Sequence, residues 1–270
     1  MVGARTVPAA APPRGLDRLN FRHLQFRTLL RLGQPRSAAI ELACVPRLSN
    51  NCPVPKWCKT IIAILLLPAC IGALSTLEMV LRASGNADTI WVAALSGAAC
   101  WLVIYLLLPK PIWIYVFGHE LTHALWTWLL GGRVKKFKAS SKGGHVVVTK
   151  SNFVIALAPY FFPLYAVLVV LLFVAGNLLW NWKHYVAWFH LLLGAAYAFH
   201  VTLTWHILKN RQSDITEQGY LFSAVIIFLG NVTVLLIGIP LLAARVDALT
   251  ALGWWMERTG EVLHRLERML

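Results

Sequence analysis

Apolar residues run along this chain in six long blocks separated by short polar breaks. The blocks lie at about 60–81, 90–108, 111–131, 152–175, 185–208 and 220–244, and each approaches or exceeds the roughly 20 residues that a helix needs to cross a bilayer. Between the third and fourth blocks the pattern changes. In "GRVKKFKASSKGGHVVVTK" (132–150), polar and apolar residues alternate and then run β-branched around Gly143 and Gly144, which predicts a β-hairpin. After the sixth block, Leu249, Leu252, Met256, Leu263, Leu266 and Leu270 share one helical face with charges opposite. This predicts an amphipathic helix lying on the membrane, with Trp254 and Trp255 as interfacial anchors and a stripe through which the chain could form oligomers. The fold class expected is an all-α polytopic membrane protein of about six transmembrane helices, with a small β-hairpin after the third.

Composition agrees. Of 270 residues, 58% are hydrophobic and only 13% charged, too apolar a balance for an ordinary soluble domain. The net charge of +14 would suggest a nucleic-acid partner in a soluble protein, so its placement matters. Ten of the 25 Lys and Arg fall in residues 1–59 and six more in 133–150. Both clusters flank apolar blocks, where basic residues meet lipid headgroups, so the partner expected is a bilayer and no nucleic acid. If all six blocks cross, and only residues 47–59 of the N-terminal tail are counted, each side carries nine Lys and Arg, a tie; the density of basic residues in 132–151 tips the expectation to this loop facing the cytoplasm, with the C-terminus outside. Three regions follow: a basic, flexible segment over 1–57, a membrane-embedded domain over 58–245 and the amphipathic helix over 246–270. The five cysteines (Cys44, Cys52, Cys58, Cys70 and Cys100) form no CxxC pair and suggest neither a disulfide framework nor a zinc knuckle.

The third block contains an anomaly. "FGHELTHALW" (117–126) places His119, Glu120 and His123 inside an otherwise apolar helix. Each charged residue at the centre of a spanning helix costs on the order of 2.5–3.5 kcal/mol on insertion scales, so such groups mark function by default. At 3.6 residues per turn, His119 and His123 lie one turn apart on one face, so both imidazoles can bind one metal ion. Glu120 points around the side, where it can hold and deprotonate a metal-bound water without being a ligand. This is HExxH, the zinc metalloprotease motif.

A catalytic zinc takes three protein ligands and keeps one position open. From Ile90 to Ala244 the acidic residues are Glu120, Asp214 and Glu217, so one of the last two is the candidate third ligand. If every block crosses the membrane, the segment "RQSDITEQGY" emerges on the same side as the basic hairpin. A dip of that segment into the bundle would carry Asp214 to the histidines. Asp214 also reads as a helix N-cap for the sixth span. His200 is a candidate polar neighbour of the site, beside the more ordinary reading of His190, His200 and His206 as bundle residues. Asn231 reads as a hydrogen bond between helices, and Pro159 and Pro163 in "LAPYFFPLY" predict a kink in the fourth span.

"FGHELTHAL" on a membrane helix, followed by a hairpin, further spans and a late Asp, resembles the site-2 protease family of intramembrane zinc metallopeptidases, and its small bacterial branch in particular. The resemblance covers about residues 108–240. It implies one Zn2+ held by His119, His123 and a later Asp, Glu120 as catalytic base, a site toward the cytoplasmic side and a multi-pass protein of the bacterial inner membrane. In the family the hairpin is thought to present an extended substrate by strand addition. One departure is visible: many members carry the third ligand in a Leu-Asp-Gly type motif, whereas Ile215 follows Asp214 and the nearest glycine is Gly219. The function expected is an intramembrane zinc metalloprotease that hydrolyses a peptide bond in a membrane-associated protein, Glu120 activating a zinc-bound water. The alternative is a non-catalytic membrane scaffold or transporter retaining a metal site. Transport would call for ionisable groups on several spans.

Overall fold

The computed structural model describes residues 54–140, 143–243 and 245–269. The N-terminal segment up to residue 53, with Cys44 and Cys52, lies outside them, as does Leu270 of the C-terminal stripe. In chain order the described elements are α1 (Lys56–Leu65), α2 (Leu67–Ala83), α3 (Asp88–Leu107), α4 (Ile112–Leu129), β1 (Val134–Ser140), β2 (Gly143–Val148), α5 (Phe153–Phe161), α6 (Leu164–Trp180), a 3-10 turn (Trp182–Tyr185), α7 (Val186–Leu208), α8 (Ser213–Gln218), α9 (Tyr220–Ala243) and α10 (Ala248–Glu267).

Where the sequence predicts six spans, three helices are long and apolar enough to cross a membrane: α3, α7 with its leading turn, and α9. The count reaches five if α1 with α2, bent by 42°, and α5 with α6, bent by 73°, are each one span. The remaining block, α4, is the one that carries the HExxH residues. Its two histidines and glutamate lower its apolar content, and the protein rather than lipid surrounds them.

The bundle is built on close helix pairs. Along α3 and α7 the backbones meet at glycines: a Cβ added to Gly97 would lie 1.8 Å from the Leu191 carbonyl oxygen, and one on Gly194 would lie 1.9 Å from that of Ala94. Small residues at such crossings let membrane helices gain van der Waals contact that lipid cannot replace. Trp101 Nε1 donates to Thr202 Oγ1 (2.8 Å), tying the same pair. Tyr115 and Val116 of α4 pack on Phe199, Leu203 and Ile207 of α7, so α4 is held against a rigid wall.

The hairpin forms as expected. β1 and β2 pair antiparallel, with Phe137 opposite Val146, Ala139 opposite Gly144 and a bulge between Val134 and Lys136. Val146 and Val148 face Ala124 of α4, while Lys135, Lys136 and Lys138 stay exposed. The period-2 alternation thus lays the inner strand on the HExxH helix.

At the α5–α6 bend Pro163 has no N–H to continue the helix, and the Leu164 N–H bonds the Phe162 carbonyl (2.9 Å) in place of that of Tyr160. Asn231 of α9 supplies the missing donor, its Nδ2 reaching Tyr160 O (3.1 Å) and Ile227 O (2.9 Å). The hydrogen-bonding role read for Asn231 is therefore to close a break in a helix.

The C-terminal helix differs from expectation in what it turns inward. Ala251 is buried, Trp255 Nε1 donates to Ala69 O (2.8 Å), and a Cβ on Gly72 would collide with Thr259. Trp255 is thus engaged with α2. Leu249, Met256, Leu263 and Leu266 remain exposed.

The Asn231 bridge generates a stability prediction. Asn231→Ala removes both bonds and should cost about 0.6–1.7 kcal/mol, the span from the average to the largest values for hydrogen bonds between membrane helices. Reversible denaturation in detergent micelles would read this as a lowered midpoint. An unchanged midpoint would show that the Tyr160 carbonyl does not depend on Asn231.

Candidate metal centre

His119, Glu120 and His123 face into the protein from the middle of α4, and none is more than 3% exposed. Such burial is costly for ionisable groups unless they meet partners or a metal. The partner comes from α8. Between α7 and α9 the chain does not run as one helix: Gln212, itself buried, donates through Nε2 to Ile207 O (3.0 Å), the short α8 follows, and at Gly219 the backbone turns with φ +97°, a conformation that favours glycine. This detour carries Asp214 inward. Its Oδ2 lies 3.6 Å from His119 Nε2 and 3.6 Å from His123 Nε2. Glu217, three residues on, is exposed. The outer side of α8 is held from α1: Lys56 Nζ donates to Thr216 O (3.0 Å) and Lys59 Nζ to Gln218 Oε1 (2.5 Å).

Among the described residues, His119, His123 and Asp214 form the group able to hold a metal ion, with one ligand atom from each lying within 4.8 Å of the others. Two neutral imidazole nitrogens and one carboxylate oxygen make a donor set suited to zinc, and three ligands leave a tetrahedral position free. The polar atoms also fit a cation. Both ring nitrogens of His119 and Oε2 of Glu120 are buried without a hydrogen-bond partner among the described residues. His123 Nδ1 lies 2.8 Å from Ile155 O. A carbonyl only accepts, so Nδ1 bears the hydrogen and Nε2, facing Asp214, keeps its lone pair for a metal.

Two neighbours carry no signal in the sequence. Tyr160, in the last turn of α5, donates its hydroxyl to Asp214 Oδ2 (3.1 Å) and sets its ring edge against His119. "LAPYFFPLY" draws attention to its prolines, and nothing local marks the tyrosine between them. Gly144, on the inner strand of the hairpin, lies over Glu120: a Cβ there would come within 2.5 Å of Glu120 Cγ. A double glycine reads as turn chemistry, yet one of the two is needed for close approach.

The other sequence candidates fall as follows. His200 of α7 is buried and lines a small cavity together with His119. His190 packs beside Phe189, and His206 lies near Tyr105; neither joins the metal group. His145 is half-buried on β2, opposite Lys138. Cys58, Cys70 and Cys100 are free thiols outside the group.

Comparison with known proteins adds one finding. Residues 92–211 match the model of the family Peptidase M50B-like, a zinc metallopeptidase family. The matched region runs from α3 to the end of α7 and contains His119, Glu120 and His123, while Asp214 lies three residues beyond it. No curated protein and no solved structure matches the chain. The family match supports the resemblance seen in "FGHELTHAL": over residues 92–211 the chain is similar to the site-2 protease family of membrane metallopeptidases.

Proposed function

We propose that this chain is an intramembrane zinc metalloprotease that hydrolyses a peptide bond in a membrane-associated protein substrate. The observation that carries the reading is the convergence of His119 and His123 with the Asp214 carboxylate, all buried, on the helix that also bears Glu120. A zinc ion, when bound, polarises a scissile carbonyl and makes water acidic enough to attack near neutral pH. His119, His123 and Asp214 would hold it, and the Tyr160 hydroxyl, which donates to Oδ2, fixes the carboxylate rotamer. Glu120 takes the proton from the attacking water and, once protonated, returns it to the leaving amine nitrogen. The apolar surroundings keep bulk water from competing with these contacts. β2 crosses Glu120 at Gly144, so an extended peptide added to the hairpin would lie beside the base.

Two experiments test the roles. Glu120→Gln keeps the shape of the side chain but cannot act as the base, so cleavage of a reconstituted membrane substrate should fall by roughly 10²–10⁴-fold or more. Zinc content should be unchanged, because Glu120 is not a ligand. Retained turnover would remove Glu120 from the mechanism.

Asp214→Ala should lose both zinc and activity, whereas Glu217→Ala, at an exposed position, should leave both largely intact. Zinc per chain measured by elemental analysis separates the two. A loss confined to Glu217→Ala would reverse the assignment.

A further inference from the structure

The two histidines are not supported alike. A metal-binding imidazole almost always passes its other ring N–H to an acceptor, which fixes the ring and its tautomer. His123 does so directly, to the Ile155 carbonyl. His119 turns Nε2 toward Asp214, and its buried Nδ1 has no partner among the described residues.

On the other side of His119 stands α7. Tyr115 and Thr204 share a hydrogen bond between their hydroxyls (3.2 Å), joining α4 to α7. One turn further along α4 is His119, and one turn back along α7 is His200. Both line a cavity of about 20 Å³ with Gly118, Thr122 and Tyr165. A single water needs roughly 10–15 Å³ and two to four polar partners.

Most hydroxyls at this cavity already donate elsewhere: Thr122 Oγ1 to Gly118 O, Tyr165 to Ile114 O, and Tyr115 is bonded with Thr204. His200 is 6% exposed and its Nε2 has no partner among the described residues. Two unpartnered ring nitrogens therefore share a space of one-water size.

We infer that one ordered water joins His119 Nδ1 to His200 Nε2, making His200 the positioning residue for the first metal ligand. His119 Nδ1–H donates to the water, and the water donates to His200 Nε2, which leaves the His200 proton on Nδ1. Thr122 Oγ1 keeps lone pairs that can accept the second water hydrogen. His119 Nε2 is thereby left unprotonated for the metal. The two ligands are then anchored by different means, one to a carbonyl of α5 and the other through water to α7. This inference rests on the metalloprotease reading above.

The test is zinc titration of the full chain in detergent, after chelator stripping, against a competing indicator. His200→Leu removes the acceptor and should weaken zinc binding about 10–100-fold. His200→Gln, whose amide stands near the position of Nε2, should stay within about threefold of the parent, and Co2+ absorption should shift for Leu but not for Gln. Helicity and melting compared across the variants separate this from a folding defect. If the Leu variant does not fold, the polar pair decides: His200→Asn, with its amide near the position of Nδ1, should bind weakly where Gln binds well. Parent-like zinc affinity in His200→Leu, or equal affinities in Asn and Gln, would overturn the inference while leaving the metal site standing. Failure of the parent itself to bind zinc would overturn both.

Discussion

An ionised carboxylate or imidazolium buried among apolar helices costs several kcal/mol unless its charge is met by partners of matching geometry. Four such side chains, His119, Glu120, His123 and Asp214, are buried together here. Much of the surrounding architecture follows from having to surround them. α4 is enclosed by α5, α7, α8 and the hairpin, and its ionisable face meets protein on all of them. Lipid-facing surface is left to helices such as α3 and α6, whose large apolar side chains point outward.

The regularity of the bundle is given up at three places, and each serves the centre. Between α7 and α9 the chain breaks to bring Asp214 in, at the expense of continuous helix. At Phe162 and Pro163 it bends by 73°, which brings Tyr160 onto Asp214 and leaves a carbonyl for Asn231 to satisfy. After α4 it forms strands, and the lack of a side chain at Gly144 lets the inner one approach Glu120 closely. Irregular backbone at membrane depth is tolerated where protein groups re-satisfy the freed donors and acceptors. Gln212, Asn231 and Lys56 of α1 perform that task here.

What was legible in the sequence was what is local or scarce. The i,i+4 spacing of His119 and His123 is a property of one helix, and the hairpin of one alternating segment. Asp214 stood out because acidic residues are so few between Ile90 and Ala244. The choice between it and Glu217 needed the path of the chain, which turns one carboxylate inward and the other out. Tyr160 and Gly144 were invisible because their roles depend on what faces them from 54 residues later and 24 residues earlier in the chain. A sixth span at α4 does not follow from length and apolar content, because its buried polar residues lower that content. The face that α10 packs on α2 is hidden in the sequence for a different reason. A stripe of large apolar residues draws the eye, whereas close helix packing selects small ones, here Ala251, Thr259 and the facing Gly72.

The central claim is that α4 and α8 together build a zinc site inside the membrane domain. The most direct measurement is metal content by elemental analysis of the chain purified without added metal, set beside a His119→Ala variant prepared in the same way. The account predicts about one zinc per chain in the parent, as a site of three protein ligands implies, and close to none in the variant. A parent without zinc, or a variant that retains it in full, would contradict the account.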